Sequence, residues 1–175
     1  MTSDFQTNIK QIEFTTNFQD CIATYNFENL FADQRTLVFS LTVLDTPSRE
    51  YIKHFAKEYE NLKQLGLDKI YTIGSDAFLG PWGNISSDTI LSLPDKNLQF
   101  VTALANYTNS QSSLSDAARH WQYMIILNNG IPEKVWESPV KYKKNLPMDI
   151  LKRKKYRFNG LNVDIVKKYL IDNLQ

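Results

Sequence analysis

The stretch Thr36-Leu37-Val38-Phe39-Ser40-Leu41-Thr42-Val43-Leu44-Asp45-Thr46-Pro47-Ser48 decides the fold of this 175-residue chain. From Thr36 to Leu44 it is almost continuously apolar or β-branched, the composition of a strand covered on both faces, as in the middle of a parallel sheet. Asp45-Thr46-Pro47-Ser48 then reads as a helix start, with a capping hydroxyl followed by proline at the first helical position. Tyr51, Ile52, Phe55, Tyr59 and Leu62 recur three or four residues apart and define one apolar helix face, and Gly66 falls where a left-handed cap ends such a helix. Lys69 to Ile73 is a second short strand. Strand, helix and strand joined this closely make a right-handed parallel βαβ unit.

Downstream, a second helical segment is expected from about Asp76 past Trp82, made irregular by Gly80-Pro81 and Gly83. Leu98 to Ala103 reads as a third strand, and Asn106 to Ser115 as a polar loop. Trp121 to Leu127 and Ile131 to Trp136 are apolar runs flanking Asn128-Asn129-Gly130, the signature of a tight hairpin. Asn162 can cap a final helix that places Val163, Val166, Leu170 and Leu174 on one face. The first forty residues add a further hairpin or strand. The predicted architecture is therefore α/β: a thioredoxin-like fold, with a central mixed sheet flanked by helices and an N-terminal β extension. There is no internal repeat and no linker, so residues 1–175 are expected to form a single domain.

Composition bounds the function. With 42% hydrophobic and 13% aromatic residues the chain can build one substantial core, and no stretch approaches the roughly 18 apolar residues of a membrane span. The start, Met-Thr-Ser-Asp-Phe, has neither a cationic nor an apolar region, so no cleaved secretory signal is expected. One cysteine, Cys21, allows no internal disulfide, and a cytoplasmic protein is the natural reading. The net charge of +1 is unevenly placed: from Lys141 to the end there are ten Lys/Arg against three acids.

Three stretches resemble the peroxiredoxin (redoxin) family, closest to its peroxiredoxin-five-like subfamily. Leu65-Gly66-Leu67-Asp68-Lys69-Ile70-Tyr71 resembles the family's helix end and second strand. Ser75-Asp76-Ala77-Phe78 followed by Pro81-Trp82-Gly83 is similar to its Asn-Asp-Ala-Phe and Trp-Gly segment. Gln122-Tyr123 through Asn129-Gly130 to Glu133-Lys134-Val135 is similar to its Arg-Tyr strand, turn and return strand. The resemblance covers roughly residues 30 to 140.

In that family a Thr-Pro-x-Cys turn follows the first central strand. A helix amino terminus and a nearby arginine stabilise the thiolate that attacks the peroxide, and the resulting sulfenic acid is resolved by another thiol. Here the turn reads Thr46-Pro47-Ser48-Arg49, with Arg49 where the resemblance places the cysteine. The stretch from this turn to Gly66 is slightly shorter than in the family, which leaves Pro47 or Ser48 as alternative aligned positions. None is a thiol. The family's active-site arginine corresponds to Gln122, and Arg119, three residues upstream, would point to the opposite face of a strand. The site is therefore read as degenerate, and the chain as a non-catalytic redoxin acting by binding or dimer assembly.

Other readings stay open. Cys21, beside Ile22 and Ala23, reads as a small core filler, against the alternative of a one-cysteine thiol peroxidase using an external resolving thiol. Phe78, Pro81 and Trp82 resemble the edge where two family subunits meet, so a homodimer is expected; the plain alternative is that they pack on their own core. An aromatic rim beside the old site could equally receive a protein partner. The basic segment at about 141–158 looks like an insertion before the terminal helix. Within it Lys152-Arg153-Lys154-Lys155 could bind nucleic acid or an anionic membrane surface, or form only a solvated loop. His54 is expected to face solvent, and His120 stands at a strand start. No ligand spacing points to a metal, and no cofactor is implied.

Overall fold

The computed structural model describes residues 2–18, 21–41, 46–74, 90–108, 123–137 and 163–174. Its elements are α1 (Thr2–Ile9), β1 (Phe14–Phe18), β2 (Cys21–Tyr25), α2 (Phe27–Leu30), β3 (Arg35–Leu41), α3 (Thr46–Lys57), α4 (Tyr59–Gln64), β4 (Lys69–Gly74), β5 (Ile90–Pro94), α5 (Gln99–Tyr107), β6 (Tyr123–Asn128), β7 (Ile131–Glu137) and α6 (Val163–Asp172). A five-stranded sheet runs β5-β4-β3-β6-β7. β3, β4 and β5 are parallel, β6 is antiparallel to β3, and β7 is antiparallel to β6. That is the mixed sheet expected of a thioredoxin-like fold. The N-terminal extension is the antiparallel pair β1–β2, a separate two-stranded sheet.

The unbroken apolar run of β3 is explained by cover on both faces. Val38 joins Tyr71, Ile73, Leu93, Tyr123 and Ile125 under α1, α2 and α5. Leu37 and Phe39 join Ile70, Ile90, Met124 and Ile126 under α3, α4 and α6. The period of two along each strand sends alternate residues to opposite layers. On the first layer Phe5 meets Phe100 edge-on, ring centroids 5.9 Å apart, which seats α1 on α5.

The apolar face that the sequence assigns to one helix is carried by two. Ile52, Phe55, Tyr59 and Leu62 are all buried, but the helix is interrupted at Glu58 (φ −91°, ψ 4°) between α3 and α4. The Glu58 carboxylate is held by Lys167 of α6 at 2.5 Å and by Asn61 at 2.9 Å, so the joint is fixed to the terminal helix. Gly66 closes α4 at φ +99°, in the left-handed region foreseen for it.

The expectation of a strand over Leu98–Ala103 is corrected. Residues 99–107 form α5, and the third parallel strand is β5, eight residues upstream at its start. Phe100, Val101, Ala103, Leu104 and Ala105 are buried, an apolar pattern a short window cannot separate from a strand. The deciding signal is Asp95. Its carboxylate accepts from the backbone N–H of Phe100 (2.7 Å) and Val101 (3.0 Å), which satisfies amides at the start of the helix. Asn106 and Tyr107, expected in a loop, complete α5. The β6–β7 hairpin is as expected: Asn129 (φ 53°) and Gly130 (φ 73°) form the two-residue turn. Val163, Val166 and Leu170 are buried as expected, whereas Leu174 lies beyond α6 and is 59% exposed.

Candidate functional site

The site expected from the sequence is the corner between β3 and α3, at the carboxyl end of the central strand. In open sheets with parallel strands this is where ligands are received. β3 ends at Ser40-Leu41 and α3 begins at Thr46. Ser40 is buried and sits in register between Ile73 of β4 and Tyr123 of β6. On the α3 side, Phe39 meets Phe55 edge-on with centroids 4.8 Å apart, so the helix is clamped to the strand it follows. Nearby on the parallel strands Thr72 Oγ1 donates to Ser92 Oγ at 2.8 Å, both residues buried.

The first turn of α3 contains Thr46, Pro47, Ser48 and Arg49. A helix of this length presents a partial positive charge at its amino end, the arrangement that would hold a thiolate or another anion. The sequence of α3 contains no thiol along its whole length. A hydroxyl without a general base is not ionised by a helix end alone. His54 is exposed on α3, as expected.

Cys21 is placed elsewhere, as the first residue of β2, in register with Phe18 in the two-stranded sheet. Its neighbours in β2 are Ile22, 73% exposed, and Ala23, half-buried. Gln122, Arg119, His120, Phe78, Pro81, Trp82 and Lys152, Arg153, Lys154 and Lys155 lie outside the described residues. So do the helical segment expected from Asp76 and the body of the basic segment 141–158.

Sequence reasoning missed a polar network at the other end of β3. Arg35 is buried, and its Nη2 donates to Glu133 Oε2 at 2.6 Å. The same carboxylate accepts from Tyr169 Oη at 3.0 Å and, through Oε1, from Asn128 Nδ2 at 3.3 Å. Burial and the Glu133 hydrogen bond push the Tyr169 phenol above its ordinary range. The only available hint was a charged residue opening an otherwise apolar strand. Among the described residues no group of His, Cys, Asp and Glu is arranged to hold a metal, and no helix is long and apolar enough to cross a membrane.

Comparison with known proteins follows the same lines. The chain is 30% identical over 127 residues to a peroxiredoxin of Synechocystis sp., covering 70% of this chain and 66% of that protein. It is 28% identical over 115 residues to a peroxiredoxin of Rhizobium etli, covering 63% and 64%. It is 26% identical over 136 residues to the hybrid peroxiredoxin of Haemophilus influenzae, covering 75% and 56%. The match thus spans just under two thirds, or less, of each relative's length. Among solved structures, a 1-Cys peroxiredoxin of Plasmodium falciparum superposes with a TM-score of 0.64 at 20% identity, over 93% of this chain and 95% of that one. Reduced Prx3 of Vibrio vulnificus in complex with hydrogen peroxide gives 0.62 at 18%, over 93% and 95%. These two likenesses establish the fold. No family model matches the chain.

Proposed function

Because the chain belongs to the peroxiredoxin family, we propose that it is a member without peroxidase chemistry, a single redoxin domain that works by binding, as a homodimer or through a protein partner at the rim of the former catalytic corner. One observation carries this reading. The sole cysteine is Cys21, in the β1–β2 sheet, while the helix that would activate a thiolate opens with Thr46-Pro47-Ser48-Arg49.

Peroxide reduction needs a thiolate sulfur to attack one peroxide oxygen. The O–O bond breaks, the second oxygen leaves as water or hydroxide, and a sulfenic acid remains for another thiol to reduce. An oxygen nucleophile at position 48 offers no such two-electron cycle. A binding role would use α3, which Phe55 clamps to Phe39 of the central strand, as the framework of a surface for a partner.

The test is a coupled assay in which purified protein is offered hydrogen peroxide with a thioredoxin system or a dithiol. The expected result is peroxide consumption equal to the protein-free blank. Turnover lost on Cys21→Ser would replace this reading with that of a one-cysteine peroxidase. The homodimer is tested by sedimentation equilibrium: a concentration-dependent monomer–dimer equilibrium is expected, weakened by Trp82→Ala, and a strict monomer at all concentrations would remove that part.

A further inference from the structure

Asn129 and Gly130 make the two-residue turn of the β6–β7 hairpin, with Asn128 paired to Ile131 across it. Both are left-handed, at φ 53° and 73°, the signature of a type I′ turn. Asn followed by Gly is also the pair in which a backbone nitrogen, unobstructed by a neighbouring side chain, most readily attacks the asparagine's own side-chain amide. Fold and chemistry compete for the same residue.

The turn is held from three sides. Gln6 of α1 donates through Nε2 to the Asn129 carbonyl at 2.8 Å. The Asn129 N–H donates to the Gln34 carbonyl at 2.9 Å, and Asn129 Oδ1 accepts from the Asp33 N–H at 3.0 Å. Beneath, a Cβ at Gly130 would run into the Phe27 ring of α2. Both carbonyl groups of Asn129, backbone and side chain, are thus engaged by segments 123 and 96 residues away in sequence.

A five-membered ring between Asn129 Cγ and the Gly130 nitrogen closes only when that nitrogen eclipses Cβ across the Cα–C bond. The first central residue of a type I′ turn has ψ of about +30°, which for an L-residue puts the following nitrogen roughly 150° from Cβ, almost on the opposite side. Reaction therefore requires the Asn129–Gly130 peptide plane to swing far from the position in which Gln6 holds its oxygen. The closed turn offers no near-attack geometry.

We propose that Asn129 is a site of spontaneous succinimide formation gated by opening of this turn. In the opened turn the Gly130 nitrogen bonds to Asn129 Cγ, and the side-chain nitrogen leaves as ammonia with the Gly130 amide proton. Water then opens the ring. Addition at Cγ gives aspartate; addition at the backbone carbonyl carbon gives isoaspartate, whose main chain runs through Cβ and Cγ. The isoaspartyl chain has one more main-chain atom between the strands, so the two-residue turn and its contacts with α1 and α2 cannot close again. Modification makes a transient opening of the hairpin end permanent.

The experiment ages the full chain at mildly alkaline pH, folded and in guanidinium chloride, and follows residue 129 by peptide mass spectrometry and isoaspartyl methyltransferase labelling. In the unfolded chain Asn129 should be lost about as fast as Asn159, which precedes Gly160 in the other Asn-Gly pair of the sequence. In the folded chain its loss should be slower by about tenfold or more, since only the opened turn reacts. Gln6→Ala removes one hydrogen bond from the closed turn and should speed the folded-state loss by roughly two- to tenfold, with the unfolded-state rate unchanged. Chains carrying isoaspartate at 129 should lose hydrogen-exchange protection at the hairpin end. Asn129→Asp, the unrearranged product, should keep it, because aspartate tolerates the left-handed conformation. Equal folded and unfolded rates, a folded-state rate indifferent to Gln6→Ala, an unmodified Asn129 in the unfolded chain, or an isoaspartyl chain whose hairpin end stays protected would each overturn the proposal.

Discussion

The ring of Phe55 in α3 stands edge-on to the ring of Phe39 in β3, at 73° with centroids 4.8 Å apart. Both side chains are buried in the layer that also holds Ile52, Met124 and Val166. This pair fixes where α3 lies on the central strand, and so where its amino end stands. Phe55→Ala removes the ring and leaves a cavity, and should cost about 3–5 kcal/mol. Urea denaturation measures it; a loss under about 1 kcal/mol would mean that the helix is held by other contacts.

Arg35 and Glu133 join the central strand to the edge strand β7 through an ion pair whose arginine is buried and whose glutamate side chain is 20% exposed. Removing one partner strands the other charge in the core, so Glu133→Ala is expected to destabilise by about 3–5 kcal/mol. The double change Arg35→Met with Glu133→Leu should recover most of that loss, because a well-packed apolar pair replaces a desolvated ionic one. Denaturation midpoints of the single and double variants check both expectations.

Tyr71 predicts a pH dependence. Its hydroxyl donates to the Leu30 carbonyl at 3.0 Å, and burial pushes its pKa up to about 12, with the neighbouring Tyr59 and Asp68 adding to the shift. The folded state therefore holds this proton more tightly than the unfolded chain, where an ordinary tyrosine titrates near 10. The resulting stability is fully present below pH 10 and is lost as pH rises from about 10 to about 12. Ultraviolet titration should show one tyrosine ionising last, and Tyr71→Phe should remove that late step.

Much of this architecture was legible because local signals agree with the fold. The uninterrupted run of β3, the Asn129-Gly130 turn and Gly66 after α4 each have one good structural solution. What was missed shares a different cause. β5 is only five residues, ends in Pro94, and offers too short a pattern to stand out. α5 has an apolar density that a strand could share, and only the reach of Asp95 to Phe100 and Val101 settles the matter. α1 was not foreseen because its helical face, Phe5 and Ile9, becomes evident only once α5 is recognised as its partner. The helix start read from Thr46-Pro47 coincides with the start of α3. The Arg35–Glu133–Tyr169 network depends on three elements distant in sequence and left no local pattern to read.

The most direct measurement is the second-order rate at which Cys21 is oxidised by hydrogen peroxide, followed by mass spectrometry of the sulfenic acid trapped with a dimedone-type reagent. A thiol outside the activating helix end should react no faster than a simple thiol of the same pKa in the same buffer. A rate orders of magnitude above that reference, persisting in Arg49→Ala and giving catalytic turnover with a dithiol, would contradict the account by placing an activated thiolate in β2.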